Sequence, residues 1–202
     1  MAGPDVRCDI MGKRLWSVSN LRRWLGVVTN DLQATFSRDM TGEDMLLSGF
    51  FSSVGLWPHH RVTSSMRRKV KKLLRWLEIP FLAQRRLTEV SSGEARRLLI
   101  GRALVHQPKA LLLDEPCNSL DLRSAHAFRG LLRKIAREGT GVLLVTHHTA
   151  DVIPEIRRVI FLKEGTVWKD GRKETLLRPT LLSELFGFPV QVARRGGYYQ
   201  AW

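Results

Sequence analysis

Ala110-Leu111-Leu112-Leu113 is an unbroken apolar run that stops at Asp114-Glu115-Pro116. A strand with one wet face alternates apolar and polar side chains. A run that is apolar at every position suits a strand covered on both faces, as in the middle of a parallel sheet. Val142-Leu143-Leu144-Val145 repeats the pattern and ends at Thr146-His147-His148. Val159-Ile160-Phe161-Leu162 is a third such run, closed by a Glu164-Gly165 turn. The stretch from Arg23 to Asp31, with β-branched Val27 and Val28, predicts an earlier short strand. Helical periodicity fills the gaps. Ser91-Ser92-Gly93-Glu94 predicts a capped start for a helix that ends near Gln107-Pro108. A second helix is expected from Ser124 to Arg137, before Gly139 and Gly141 break it. Strands alternating with helices predict an α/β fold with a parallel sheet.

Residues 41–90 read differently. Thr41 is a candidate N-cap with Asp44 three positions on, and Gly55, Trp57 and Pro58 close that element. Met66, Val70, Leu73, Leu74 and Leu77 fall on one helical stripe, with Arg67, Arg68, Lys69, Lys71 and Lys72 opposite and Pro80 beyond the end. The 202 residues hold 33 Lys+Arg against 19 Asp+Glu, a net +14. The excess is local: residues 61–110 carry thirteen basic and three acidic side chains, whereas residues 1–60 balance. A local patch implies an anionic neighbour or a solvated face, not a uniformly basic binder. With 44% apolar residues the chain can bury a core, which argues against disorder. Cys8 and Cys117 suit a reducing cytosol and exclude a disulfide-rich scaffold. The opening MAGPDVRCD lacks the apolar stretch of a signal peptide, and no run approaches the roughly 18–20 apolar residues of a membrane span.

In open parallel sheets, ligands bind beyond the carboxyl ends of the strands. Three polar groups follow strands in this way: Asp114-Glu115, His147, and Gln33 after the early strand. A carboxylate pair there suits Mg²⁺ held through water, together with a base or positioner for an attacking water. A histidine at the neighbouring strand end suits a terminal phosphate. The helix start at Ser91-Ser92-Gly93 aims backbone N–H groups at an anion, and Glu94 in the first turn suits the helix dipole. His59-His60 and His147-His148 are adjacent pairs without metal-ligand spacing, so no structural zinc is expected.

Residues 90–121, VSSGEARRLLIGRALVHQPKALLLDEPCNSLD, resemble the core of ATP-binding cassette (ABC) ATPases. The resemblance makes Val90 to Glu94 the signature loop, of Leu-Ser-Gly-Gly-Gln type. It departs at Val90, Ser92 and Glu94 and keeps Ser91 and Gly93, whose hydroxyl and N–H would meet the γ-phosphate. It makes Leu111 to Asp114 the Walker B strand, Asp114 the group that orders Mg²⁺ through water, and Glu115 the catalytic glutamate. Ser119-Leu120-Asp121 becomes the D-loop, with Asp121 coupling two sites. His147 becomes the switch histidine, and Gln33 the Q-loop glutamine that reaches Mg²⁺ and the attacking water. Residues 9–28 resemble the stretch before the Q-loop, and residues 158–171 the family's closing strand and turn.

The implied fold class is α/β, an incomplete P-loop NTPase core with a parallel sheet and an inserted helical subdomain. Residues 1–36 would be the remnant of the core up to the Q-loop, and 37–90 the helical subdomain. Residues 91–165 would hold signature helix, Walker B, D-loop and switch histidine, and 166–202 a C-terminal tail. One family motif has no counterpart. Gly12-Lys13 is followed by Arg14, and Arg7 stands where the first glycine of a G-x-x-x-x-G-K-[ST] P-loop belongs. N-terminal truncation competes with a degenerate half-site that lends Ser91 and Gly93 to a partner. Glu115 and His147 would serve the chain's own P-loop, which favours truncation. The implied cofactors are ATP and Mg²⁺. The implied partners are a second ABC ATPase subunit, head to tail, and membrane-spanning transporter subunits, with this subunit peripheral at the cytoplasmic face and no specific nucleic acid. The rivals are a soluble ABC protein acting on ribosomes or nucleic acid, whose second cassette and charged linker this chain lacks, and a non-catalytic interaction module.

Overall fold

The computed structural model describes residues 9–10, 12–29, 35–36 and 39–202. Along the chain come α1 (Val18–Trp24), β1 (Leu25–Val28), α2 (Gly42–Ser48), α3 (Ser64–Trp76), α4 (Ser92–Leu104), β2 (Ala110–Asp114), α5 (Leu122–Arg137), β3 (Gly141–Val145), β4 (Arg158–Lys163), β5 (Thr166–Arg172), α6 (Lys173–Leu176), α7 (Pro179–Phe186), β6 (Val192–Arg195) and β7 (Tyr198–Ala201). The apolar runs at 25–28, 110–113 and 142–145 form one parallel sheet in the order β1-β2-β3. In register, Val27 lies beside Leu112 and Leu112 beside Leu143.

Helix starts follow side-chain chemistry. Thr41 caps α2 by accepting the Asp44 N–H, and its own hydroxyl donates to the Asp44 carboxylate. Thr63 caps α3, whose Val70 and Leu74 are buried beneath an exposed basic face. Helix α5 starts at Leu122, two residues before the expected Ser124, because Asp121 accepts the Ser124 N–H and makes the turn helical from there. Gly26 is required by close packing: a Cβ there would lie 2.6 Å from Leu111 Cδ2 and 3.0 Å from the Ala103 carbonyl oxygen.

A single apolar core joins the sheet to the helices. It holds Val28, Leu111 and Leu113 with Leu46 and Leu47 of α2, Leu74 of α3, Leu98 and Leu99 of α4, and Phe128 and Leu132 of α5. A second, smaller core, with Phe161, Leu176, Leu182, Val190 and Tyr199, holds the C-terminal region.

Two expectations change. The run at 159–162 does not extend the parallel sheet. As β4 it pairs antiparallel with β5 in a separate hairpin, because the Glu164-Gly165 turn, both residues at positive φ, reverses the chain at once. The second correction concerns burial. On one face, Leu111, Leu113, Val28 and Gly26 are buried. On the other, Leu143 is 56% exposed, Val145 47% and Val27 39%. The strand at 142–145, expected to be buried, is a half-exposed edge.

Candidate functional site

The sheet delivers two strand ends side by side. Asp114 closes β2 opposite Val145, with its side chain exposed and in no ion pair among the described residues. Glu115 follows with φ +44°, in the left-handed region, at a cost of about 1 kcal/mol for a residue with a Cβ. Its N–H donates to the Val145 carbonyl oxygen at 2.9 Å, which pins the turn to the neighbouring strand. This turns the carboxylate towards the end of β3. Glu115 Oε1 accepts the His147 backbone N–H at 3.0 Å and lies 2.7 Å from His147 Nδ1. An ionised carboxylate only accepts, so the His147 Nδ1 supplies the hydrogen of this bond.

A buried network stands behind this pair. Thr146 Oγ1 lies 3.3 Å from both Glu115 Oε2 and Asp151 Oδ2 and accepts the His148 N–H. Its single proton serves one carboxylate at a time. Asp151, 3% exposed, also receives a hydrogen bond from Arg129 of α5 at 3.1 Å. Burial, with the Asp151 carboxylate adding to it, pushes the Cys117 thiol up to about 12, so it is held as the thiol. The chain then passes through a short turn at Thr149–Asp151, where Thr149 Oγ1 accepts the Ala201 N–H and ties the C-terminal hairpin to the loop. Glu115 and His147, expected at neighbouring strand ends, are in contact there, and Thr146, Asp151 and Arg129 are not among the expected residues. Asp151 and Arg129 meet only because α5 packs beside the loop after β3.

The second group of expected residues lies at the start of α4. Ser91 caps the helix, and Glu94 closes a capping box. Glu94 Oε2 accepts both the Ser91 N–H, at 2.8 Å, and the Ser91 hydroxyl, at 2.9 Å. The hydroxyl expected to meet a phosphate is therefore engaged by its own helix. Ser92 is exposed. Gly93 packs against α5: a Cβ there would meet Ser124 Oγ at 3.0 Å. Ser124 in turn donates its hydroxyl and N–H to Asp121, whose carboxyl these bonds hold below its usual range. The start of α4 and the Asp121 turn thus meet through Ser124. Gln33 lies outside the described residues.

Asp114 fits a Mg²⁺ ion in its usual protein setting, one or two carboxylates with water and phosphate completing the shell. Among the described residues no group of three His, Cys, Asp or Glu side chains forms a protein cage for a metal. Bound there, the ion would neutralise phosphate charge. A carboxylate and a histidine side by side at strand ends are groups that can orient water and hydrogen-bond a phosphate oxygen.

The ABC transporter family profile matches residues 8–118, more than half of the chain. The chain belongs to the ABC transporter family. It is 33% identical over 174 residues to the uncharacterized ABC transporter ATP-binding protein YlmA of Bacillus subtilis, covering 85% of this chain and 65% of that protein. It is 29% identical over 192 residues to the hemin import ATP-binding protein HmuV of Aliivibrio fischeri, covering 93% of this chain and 71% of that protein. Among solved structures, a nucleotide-free ATP-binding cassette from an ABC transporter superposes with a TM-score of 0.68 at 24% identity, over 88% of this chain and 73% of that one. CbiO1 of Clostridium perfringens, part of the ABC transporter complex cbiONQ, gives 0.68 at 24% identity, over 86% and 68%. The fold is that of an ABC ATPase cassette. The chain spans about two thirds of the length of these relatives. No helix among the described residues is long and apolar enough to cross a membrane.

Proposed function

We propose that this chain is the larger part of the ATP-binding and ATP-hydrolysing subunit that energises an ABC membrane transporter. The observation that carries this is the Glu115–His147 pair, a strained carboxylate at one strand end bonded twice by the histidine at the next. In the reading, Glu115 polarises the attacking water, His147 and Gln33 hold the γ-phosphate geometry, and Asp114 orders Mg²⁺ through water. Ser91, Ser92, Gly93 and Glu94 face the nucleotide of a second ABC ATPase subunit in a head-to-tail dimer, and Asp121 couples the two sites. Residues 37–90 face membrane-spanning subunits at the cytoplasmic side. Residues 1–36 and 91–165 belong to the nucleotide-binding core.

None of the 202 residues forms a G-x-x-x-x-G-K-[ST] loop, so the phosphate donors of such a loop must come from outside this stretch. The half-exposed face of the sheet at Val27, Leu143 and Val145 is consistent with a covering segment, since parallel sheets are packed on both sides. Residues 1–202 alone are expected to bind ATP poorly, and a low-micromolar Kd by calorimetry would overturn this. Reading the coding DNA upstream of Met1 tests the truncation: an in-frame P-loop within about sixty codons supports it, and stop codons without such a motif sink it.

A further inference from the structure

Away from the strand ends, a recess of about 280 Å³ is lined by Arg22, Arg23, Phe50, Phe51, Ser52 and His106. Three segments meet there: the last turn of α1, the short turn Gly49–Phe51 after α2, and the residues just past α4. Arg22 reaches across and donates to the Ser52 carbonyl oxygen at 3.1 Å. The His106 ring packs edge-on against Phe50, with the Gly49 and Phe50 backbone beside it. Arg23 makes no hydrogen bond or ion pair among the described residues, and neither does Lys69, which acts on His106 from α3.

The charge here is one-sided. Burial, then Arg23, hold the His106 imidazole below its ordinary value; the Gly49 and Phe50 backbone opposes this, and Lys69 adds to it. Burial pulls the neighbouring Arg102 guanidinium down to about 10, with Arg22 contributing. Arg102 is spent on Ser48 Oγ and the Ser53 carbonyl oxygen. No carboxylate figures among the groups that act on either residue. A concave site that gathers cations around aromatic walls, with no carboxylate bonded to them among the described residues, is set up for an anion. Guanidinium groups favour oxyanions in particular, through charge-assisted and bidentate hydrogen bonds.

We propose that this recess binds an oxyanion of phosphate size, with Arg23 as its principal donor, the His106 ring as the wall that reports on it and Lys69 as an outlying charge. The ligand is either free phosphate or the phosphate of a lipid headgroup, the second suggested by the exposed basic face of α3, which continues from Lys69 through Lys72 and Arg75.

The test follows the His106 imidazole by NMR in the full 202-residue chain, assigned with His106→Gln, during titration with inorganic phosphate at constant ionic strength. A saturable shift of that signal is expected. Arg23→Gln should weaken binding about tenfold, as expected for loss of one charge-assisted hydrogen bond. Lys69→Gln, on an exposed helix face and safe for folding, should weaken it about threefold, since a distant exposed charge is partly screened. Vesicles of phosphatidylcholine with phosphatidylglycerol form the second arm. If they displace phosphate from the His106 signal, or move it when phosphate alone does not, the ligand is a headgroup. If they leave the phosphate shift intact, it is the free anion. The proposal is overturned if neither phosphate nor vesicles move the His106 signal, or if Arg23→Gln and Lys69→Gln both bind as tightly as the parent chain.

Discussion

The two polar clusters of this cassette are built in opposite ways. At the strand ends, Glu115 sits in strained backbone and is held by His147, with Thr146, Asp151 and Arg129 behind it. At the start of α4, Ser91 and Glu94 satisfy each other in an exposed capping box. The first is preorganised from below by burial. The second is closed on itself, and an incoming phosphate would have to draw the Ser91 hydroxyl away from Glu94. The difference teaches where each cluster is vulnerable: the strand-end cluster through its buried supports, the helix end only through its surface side chains.

The largest expected effect breaks the chemistry and leaves the scaffold intact. In a form that carries a P-loop, Glu115→Gln should lower ATP turnover about 10²–10⁴-fold while nucleotide binding persists, as measured by phosphate release and equilibrium binding. Unchanged hydrolysis would remove Glu115 from its role. The next test strikes the buried support. Asp151→Ala leaves the Arg129 guanidinium without its carboxylate and should cost about 3–5 kcal/mol in urea denaturation. A cost near zero would show that the two clusters do not differ in depth.

The helix end should respond mildly. Ser91→Ala removes the cap of α4 and should cost about 1 kcal/mol of stability. Glu94→Gln keeps an acceptor for the Ser91 hydroxyl and should cost less than about 0.5 kcal/mol. A larger loss would mean that the carboxylate charge itself holds the loop. The smallest effect concerns His106. Its folded pKa lies below the ordinary 6.5, so just under pH 6.5 the unfolded chain binds the proton more readily. Stability should therefore rise with pH across that window, and His106→Gln should flatten this part of a pH–Tm profile.

The strand-end residues and the helix cap are legible in local sequence signals. The run at 110–113 followed by Asp-Glu announced a strand end with carboxylates, and Ser91 through Glu94 announced a capped helix. Both are local signals: apolar periodicity and the reach of a short side chain to the next turn. The supports were not legible. Asp151 and Arg129 are 22 residues apart, and nothing local marks them as partners. The state of Ser91 was also hidden, because the same Ser-x-x-Glu spacing serves a free loop or a closed box. The run at 159–162 misled, since an apolar tetrad looks the same in a parallel core and in a hairpin over a second core.

The sequence by itself determined the strands of the parallel sheet, the helices between them, and which carboxylates and histidine follow the strands. These depend on side-chain pattern within a few residues. Only the tertiary structure decided that one face of the sheet is half-exposed, that Glu115 and His147 touch, and that cations gather around His106. Those outcomes depend on register between strands and on which helix packs where. They arise from residues far apart in the chain, brought together when the apolar faces find each other and expel water.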